Sequence, residues 1–346
     1  MAWAELLVSL FVILAGAELF TNGVEWIGER FGLSEGAVGS VLAAVGTALP
    51  ETILPLVAIL SGRATGDEIG IGAILGAPFM LTTLAMFVLG VATVLFARGG
   101  RRATELEGDP TVLAHDLGYF LGMYVLAVLV GLVHVAVVHW ALAIALVVGY
   151  VFYVRRHFIA PGELELEEEA RTEIKPLHLW RWLRRVRPAL EPWSRASPAW
   201  PSFAQVALAL VLIVGGADLF VSGVDALASR FDVSHLVFAL LLAPIATELP
   251  EKFNSVIWVR RRKDTLALGN VTGAMVFQSS FPVTVGLLLT PWRLAHAALV
   301  AAVIALAAGG TLYATLRLRG GFGAWLLLGQ GVFYASYVVY VLAMAR

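Results

Sequence analysis

Two glutamates, each directly after a proline, are the most informative feature of the sequence for chemistry. The first glutamate is the last residue of the motif GTALPE (residues 46–51), and the second is the last residue of ATELPE (residues 246–251). Both motifs lie inside long apolar stretches. A carboxylate at membrane depth is costly and usually serves ion binding or transport. Carboxylate and carbonyl oxygens are the ligands that hard cations such as Ca²⁺ prefer. The pattern therefore predicts a cation site that uses Glu51 and Glu251.

The proline of each motif predicts further ligands. Proline has no N–H group, and its ring crowds the carbonyl four residues earlier. We therefore expect Pro50 and Pro250 to free backbone carbonyls around Thr47 and Thr247, with locally unwound backbone. Such backbone is tolerated in a membrane only where protein or water surrounds it. Each threonine precedes its glutamate by four residues, so a carbonyl and a carboxylate from each motif can face one ion.

A second pair of motifs follows in the next apolar stretch of each half. They read GAILGAPFM (72–80) and GNVTGAMVFQSS (269–280), with glycines four residues apart. Such glycines allow helices to approach closely, and packing alone explains them equally well. Beside the Pro-Glu helices, close packing would bring Asn270 and Gln278 toward the cation site, so both are candidate ligands.

The second Pro-Glu motif carries two additional charges. Glu248 lies three residues before Glu251 and four before Lys252, and these spacings make neighbours on a helix. On one interpretation Glu248 is a third carboxylate of the metal site and Lys252 is a charge switch beside it. Three carboxylates and one ammonium then carry a net charge that balances one Ca²⁺. The alternative interpretation is a structural ion pair that never touches the ion.

The composition places these motifs in a membrane. Of 346 residues, 59% are hydrophobic and 14% charged, whereas soluble domains are about 45–50% apolar and about 25% charged. The first apolar run carries Glu5 instead of a basic start, so we interpret it as a helix and not as a signal peptide. Apolar runs of about 20 residues can cross a bilayer. We expect ten spanning helices, at residues 4–25, 36–60, 68–97, 113–132, 136–154, 204–227, 236–259, 265–289, 294–316 and 323–344.

The two halves are inverted copies of each other in this topology. Residues 16–51 and 216–251 carry the same pattern, and a repeat of five helices enters the membrane from the opposite side in its second copy. The predicted fold is therefore an all-α membrane protein with ten transmembrane helices in two inverted five-helix repeats. We assign residues 1–156 to the first repeat, 157–203 to a linker and 204–346 to the second repeat.

Basic residues orient this topology. One face receives residues 98–102, the linker and residues 260–263, whereas the other receives only four arginines. Basic residues favour the cytoplasmic side, so we expect a cytoplasmic linker and both termini outside, in the plasma (inner) membrane. The linker holds an acidic run (163–169) and the segment HLWRWLRRVRP (178–188), which suits a helix on an anionic leaflet.

Other charged residues inside the predicted spans receive structural roles. His115 and Asp116 lie near the start of helix four, where we expect an interfacial or capping role. A water-facing or interhelical role is expected for four acids that recur at heptad spacing in helices one and six: Glu18, Glu25, Asp218 and Asp225. The chain has no cysteine, which excludes disulfides and thiolate chemistry.

Both pairs of motifs together resemble the cation/calcium exchanger superfamily, which includes sodium/calcium exchangers. That family's elements read roughly G-T-S-L-P-E and G-N-x-x-G-S-N-x-x-(N/D). The resemblance implies the ten-helix inverted fold. It also implies that Glu51 and Glu251 ligate Ca²⁺ in alternation with Na⁺ or protons, and that Thr47 and Thr247 offer backbone carbonyls.

The chain departs from that family pattern chiefly in the first half. The positions where the family has serine, asparagine or aspartate carry other residues here: Ala48, Glu248, Ala77, Ala274, Leu81, Gln278 and Pro78. Most neutral oxygens that would form separate Na⁺ sites are therefore missing. This favours proton coupling, because protonation of a carboxylate needs no extra ligand.

The leading hypothesis is a secondary antiporter that exchanges Ca²⁺ or a similar hard cation against Na⁺ or H⁺ by alternating access. In this hypothesis helices one and six slide across the core of helices 2–3 and 7–8. One alternative is a monovalent Na⁺ or K⁺/H⁺ exchanger that uses the lysine–carboxylate pair. Another is a degenerate exchanger that acts as a sensor or scaffold. We expect no enzyme, because zinc-protease and nucleophile-elbow motifs are missing. Expected partners are the bilayer and small cations, without nucleic acid or cofactor; the oligomeric state stays open.

Overall fold

The computed structural model describes residues 2–30, 50–98, 100, 103–133, 135–157, 176–188, 193–194 and 197–344. Within these ranges only the backbone is described for residues 29, 157, 246 and 249–251. The described chain is almost entirely helical, with one antiparallel pair of two-residue strands, β1 (Glu105–Leu106) and β2 (Phe322–Gly323).

Thirteen α-helices are present in the described residues. A π-helical turn at Leu81–Ala85 joins the third to the fourth. Their bounds are α1 Ala2–Arg30, α2 Pro50–Leu60, α3 Gly66–Met80, α4 Met86–Arg98, α5 Pro110–Val130, α6 Ala136–His157, α7 His178–Val186, α8 Trp200–Phe231, α9 His235–Arg260, α10 Asp264–Gln278, α11 Phe281–Leu289, α12 His296–Arg319 and α13 Ala324–Met344.

Nine of the ten predicted spans coincide with these helices, and so does the part 50–60 of the span predicted at 36–60, whose residues 36–49 lie outside the described residues. Eight helical segments of the described chain are long and apolar enough to cross a membrane, with α3–α4 and α10–α11 each forming one segment. The other two predicted spans correspond to the apolar helices Pro50–Leu60 and His235–Ile245, the latter being the first part of α9. The prediction of a ten-helix membrane protein is confirmed. The linker segment 178–188, for which a helix was expected, is helical from His178 to Val186, and the acidic run 163–169 lies outside the described residues.

Local chemistry sets several helix ends. Asp109 precedes α5, and its carboxylate accepts a hydrogen bond from the Thr111 amide at 2.7 Å, while Pro110 occupies the first helical position. At the other kind of end, α12 stops at Gly320, whose φ of +73° lies in the left-handed region that glycine adopts without strain.

The packing of α1 against α8 displays the inverted symmetry directly. A Cβ atom placed on Gly16 would lie 2.8 Å from Ile213, and one placed on Gly216 would lie 2.8 Å from Ile13. A second pair of contacts is related in the same way between the two halves: Gly23 lies against Val206, and Gly223 lies against Leu6. Residue numbers rise along one helix as they fall along the other, so the two helices are antiparallel. Two copies inserted in opposite directions require this arrangement.

Helix α3 connects α2 to α9 through glycines on two faces. Cβ atoms on Gly72 and Gly76 would lie 2.3 and 2.2 Å from the carbonyl oxygens of Leu236 and Leu240, so α3 and α9 touch backbone to backbone and run parallel. On another face, Gly66 lies against the carbonyl of Ala58, within the α2–α3 hairpin. It follows that α2 runs antiparallel to α9.

The expectation of unwound backbone at Pro250 is wrong. Helix α9 continues from His235 to Arg260 although it contains Pro244 and Pro250. Each proline still removes one helical hydrogen bond, and the carbonyl that Pro244 leaves without its donor belongs to Leu240, which faces Gly76. At Pro244, the helix therefore lies directly against the backbone of α3 where its own hydrogen bonding is interrupted.

Candidate functional site

The first predicted ligand, Glu51, lies in the first described turn of α2. Its side chain is buried, with 5% of its surface exposed. Leu54 and Ala58, on the next two turns, share one packed cluster with Ala239 and Ala243 of α9. Glu51 lies one turn before Leu54 on the same face of α2. Because α2 and α9 are antiparallel, this turn lies beside the part of α9 that follows Ala243.

On α9 the same cluster leads to the second motif. Thr247 follows Ala243 by one turn and is buried, with its hydroxyl 3.4 Å from the Ala243 carbonyl. Glu248 comes next and is fully buried. Glu51 on α2 and Thr247 and Glu248 on α9 are thus buried next to the same contact between the two helices.

Glu248 and Lys252 form a buried ion pair. The Lys252 ammonium lies 2.8 Å from Glu248 Oε2 and 3.4 Å from the Glu248 carbonyl oxygen. The lysine side chain is 7% exposed and the glutamate side chain 0%. Glu248 Oε1 has no hydrogen-bond partner among the described residues. The second carboxylate oxygen of Glu248 can therefore still accept a proton or ligate a cation. Removing one partner of such a buried ion pair strongly lowers the stability of the fold.

Helix α10 brings its polar residues to α9. The Asn270 side-chain amide donates to Ser255 Oγ at 3.0 Å, one turn beyond Glu251 on α9. From this contact, Gln278 lies eight residues further along α10, and Thr247 lies eight residues back along the antiparallel α9. Gln278 is buried, and its Oε1 has no partner in the described part of the chain. A neutral oxygen is therefore held at about the level of Thr247 and Glu248.

Two of the predicted ligands cannot be compared with the structure. Thr47 lies outside the described residues. Glu251 is part of the described backbone of α9, but its side chain is outside the description. The convergence of the two motif glutamates on one ion therefore stays a prediction, whereas the helices that would carry them do pack through a common cluster.

Asp116 is a residue whose environment the sequence did not reveal. We expected an interfacial or capping role, but its side chain is 1% exposed in the interior of α5. Its two carboxylate oxygens accept hydrogen bonds from Tyr153 of α6 at 2.9 Å and from Thr272 of α10 at 2.6 Å. The available signal was a carboxylate inside a predicted span, together with a hydroxyl inside GNVTG. The cap of α5 is Asp109.

The acids of α8 connect this helix to neighbouring elements, as predicted. Asp218 accepts a hydrogen bond from the Arg63 guanidinium at 2.9 Å, and Asp225 accepts one from Thr65 at 2.8 Å. Asp225 also lies 3.1 Å from His235 Nε2, at the start of α9. These exposed interhelical contacts join α8 to the α2–α3 turn and to α9, away from Glu51.

The fold and the buried acids define a class of protein. Two oppositely inserted helical repeats, with titratable side chains and interrupted helices inside spanning segments, are characteristic of secondary transporters. The family model for sodium/calcium exchanger protein matches residues 1–158 and 201–345. The chain therefore belongs to the sodium/calcium exchanger family and is a multi-pass membrane antiporter of that family.

Individual relatives agree with this assignment. The chain is 27% identical over 301 residues to the protein CaxA of Alkalimonas amylolytica, and the aligned region covers 82% of this chain and 80% of CaxA. Its fold resembles the crystal structure of the H⁺/Ca²⁺ exchanger CAX with a TM-score of 0.71, at 15% identity, over 99% of this chain and 86% of CAX. It also resembles the sodium-calcium exchanger NCX_Mj, with a TM-score of 0.56 at 20% identity over 98% and 97% of the two chains.

Proposed function

We propose that this protein exchanges Ca²⁺, or a similar hard cation, against H⁺ or Na⁺ by alternating access. The observation that carries the proposal is the burial of Glu51 on α2, in line with a packed cluster that leads to Thr247 and Glu248 on α9. Carboxylates held inside a bundle of inverted repeats suit a cation that must be stripped of water before it crosses. Family membership supports the same conclusion.

In this proposal the ligands come from both halves. Glu51 and Glu251 are the principal carboxylates, and Thr47 and Thr247 supply backbone carbonyls. Glu248 is a third carboxylate, and Gln278 adds a neutral oxygen, with Asn270 at the margin through its bond to Ser255. The ammonium of Lys252 balances Glu248, so Glu51 and Glu251 together match the charge of one divalent ion.

Movement would occur between two parts of the bundle. Helices α1 and α8 pack on each other through Gly16 and Gly216, whereas α3, α9 and α10 belong to the larger packed region. We propose that the α1/α8 pair slides across this region and opens the site to each side in turn. The ion pair of Asp218 with Arg63 is exposed and can break and re-form during such movement at little cost.

Proton coupling is the preferred form of the exchange. The positions that carry neutral oxygens in the family are apolar in the first half, where Ala77 and Leu81 are buried. A bound Na⁺ needs several oxygen ligands, whereas a proton needs one carboxylate. We therefore expect a pH gradient to drive Ca²⁺ uptake more effectively than a Na⁺ gradient.

Uptake of ⁴⁵Ca into proteoliposomes under imposed pH or Na⁺ gradients tests the proposal. We expect saturable uptake by the wild-type protein and background uptake by Glu51→Gln, which removes the charge and keeps the volume. Glu107→Gln is the matched control, because Glu107 is exposed outside the spans, and it should transport normally. Absence of calcium flux under both gradients, in folded protein, would remove the proposal and favour the sensor or scaffold alternative.

The buried Lys252–Glu248 pair favours one second candidate, a monovalent Na⁺ or K⁺/H⁺ exchanger. In that case the lysine would exchange places with a monovalent cation at the carboxylate. A pH-sensitive dye inside the proteoliposomes distinguishes the two. Proton movement on addition of Na⁺ or K⁺ in calcium-free buffer indicates the monovalent exchanger, and proton movement on addition of Ca²⁺ indicates the leading proposal.

We also propose that both termini lie outside the cell and that the linker (157–203) is cytoplasmic, in the plasma (inner) membrane. The support is the distribution of basic residues. Because the chain has no cysteine, single cysteines at Gly62 and Gly100 can be labelled without background. An impermeant reagent added to intact cells should label the first and not the second.

A further inference from the structure

The linker helix α7 rests on the pair of helices that would move. Trp180 of α7 is buried, and its ring lies 5.2 Å from the ring of Trp193. Trp193 in turn contacts the ring of Trp26 on α1 at 5.7 Å, edge to face. Within the described residues, this aromatic stack fixes one side of α7 to the end of α1.

The first turn of α7 is capped by side chains from both moving helices. An α-helix leaves its first N–H groups without partners, and α7 has no side-chain cap of its own. The amide of His178 donates to Asn22 Oδ1 on α1 at 3.1 Å, and the amide of Leu179 donates to Gln205 Oε1 on α8 at 2.7 Å.

The two capping residues also bind each other. The Gln205 amide donates to Asn22 Oδ1 at 3.0 Å and to the Leu19 carbonyl at 2.8 Å. His178 Nε2 adds a contact with Glu18 Oε1 at 3.2 Å. Asn22 and Gln205 are both buried, so this hydrogen-bonded cluster ties α1, α7 and α8 together, and α7 must follow the other two helices.

The opposite side of α7 has the composition of an interfacial helix. Trp182 and Val186 lie one turn apart and are 59% and 64% exposed. Arg181, Arg184 and Arg185 are exposed on a separate arc of the same helix. A helix with an apolar arc beside a basic arc binds at the boundary of headgroups and acyl chains, and the basic residues attract anionic lipids.

We propose that α7 binds the anionic headgroups of the adjacent leaflet and thereby controls the sliding of the α1/α8 pair. Trp182 and Val186 insert at the interface while Arg181, Arg184 and Arg185 contact lipid phosphates. Because the Asn22–Gln205 cluster attaches α7 to both moving helices, the lipid contact resists their displacement along the membrane normal. Transport therefore slows as the leaflet becomes more anionic.

The lipid contact can be measured independently of transport. A cysteine in place of Val186, in a chain that has no other, carries an environment-sensitive fluorophore in proteoliposomes of phosphatidylcholine with or without phosphatidylglycerol. We expect a blue shift of emission when phosphatidylglycerol is present, and its loss in R181Q/R184Q/R185Q. The matched control R260Q/R317Q/R319Q removes three exposed arginines elsewhere and should keep the shift. An emission maximum that is the same with and without phosphatidylglycerol overturns the proposal.

The coupling to movement rests on the proposed exchange function and is measured by ⁴⁵Ca uptake in the same vesicles. We expect wild-type uptake to fall about fivefold on addition of phosphatidylglycerol, the factor that corresponds to the roughly 1 kcal/mol of one arginine–headgroup contact. Uptake by R181Q/R184Q/R185Q should be insensitive, and Gln205→Leu should lose the sensitivity of uptake while the label still inserts. Label insertion without any lipid dependence of wild-type uptake contradicts the coupling. Absence of uptake in both lipids, with normal insertion, contradicts the exchange function instead.

Discussion

The two halves of the molecule share a pattern and differ in where they keep polar groups. In the Pro-Glu motifs, Ala48 and Thr52 of the first half correspond to Glu248 and Lys252 of the second. In the following motifs, three polar residues of the second half replace apolar ones: Asn270 for Ala73, Thr272 for Leu75 and Gln278 for Leu81. Duplication therefore preserved the helices while the side chains of the two copies took different tasks.

The packing explains what the first half does with its apolar motif. Gly72 and Gly76 on α3 allow the backbone of α9 to approach within contact of the helix surface. In the second half, α10 uses its polar residues for bonds to Ser255 and Asp116 instead. The first half thus supplies a close-packed support for α9, and among the described residues the second half contributes Thr247, Glu248 and Gln278 beside Glu51 of the first.

The buried ion pair, which only the second half carries, should give the largest effect on stability. Lys252→Met leaves the fully buried carboxylate of Glu248 without its counter-charge, at a cost of about 3–5 kcal/mol. The double variant Glu248→Leu/Lys252→Met removes both charges at similar volume and should recover most of that loss. Thermal unfolding in detergent, followed by tryptophan fluorescence, measures both. Equal stability of the single variant and the wild type would mean that the pair contributes nothing.

The glycine contact of the first half should give the next largest effect. In Gly76→Ala the new methyl group would meet the Leu240 carbonyl at 2.2 Å, so α3 and α9 must separate. Forced repacking of this kind costs about 1–3 kcal/mol. Gly310→Ala on α12 is the control, because no described atom beyond the adjacent backbone of its own helix lies within 4 Å of its added Cβ, and alanine favours the helix. The same unfolding measurement should show a loss only for Gly76→Ala; a loss of similar size in both variants would contradict the specific contact.

The sequence predicted the parts of this structure that depend on local pattern. Apolar runs of membrane length predict the spans, and the five-helix repeat predicts that α1 and α8 enter the membrane from opposite sides, whereas their contact with each other is seen only in the structure. The Glu248–Lys252 pair was also predictable, because its residues are one helical turn apart. These features depend on residues close in the chain or on the duplication itself.

Contacts between distant segments were not predictable in the same way. The partners of Asp116 are 37 and 156 residues away along the chain, and nothing in the sequence around Asp116 distinguishes a buried bond from an interfacial cap. Helix α9 continues through Pro250, where the local propensity of proline predicts a break. The caps of α7 come from α1 and α8, whereas a sequence motif for a cap requires a residue next to the helix.

The hydrogen bonds of Asp116 give an intermediate test of the polar second half. Asp116→Leu removes both bonds and leaves the hydroxyls of Tyr153 and Thr272 without this acceptor, at a cost of about 1–3 kcal/mol. Asp116→Asn keeps one acceptor oxygen and should cost less. Unfolding temperatures in the order wild type, Asn, Leu are expected. If Leu is as stable as the wild type, these bonds do not hold α10 against α5 and α6.

The exposed contacts of α8 should give the smallest effect, and the contrast with the buried pair sharpens the comparison. Arg63 binds Asp218 at 2.9 Å, but the two side chains are 29% and 56% exposed. Exposed ion pairs contribute about 0–1 kcal/mol and weaken with salt. Arg63→Gln should therefore lower the free energy of unfolding by less than about 1 kcal/mol, and added salt should reduce this loss. The loss caused by Lys252→Met should not depend on salt. A large, salt-independent loss in Arg63→Gln would mean that α8 is fixed at this end, and a fixed α8 is incompatible with the proposed sliding of the α1/α8 pair.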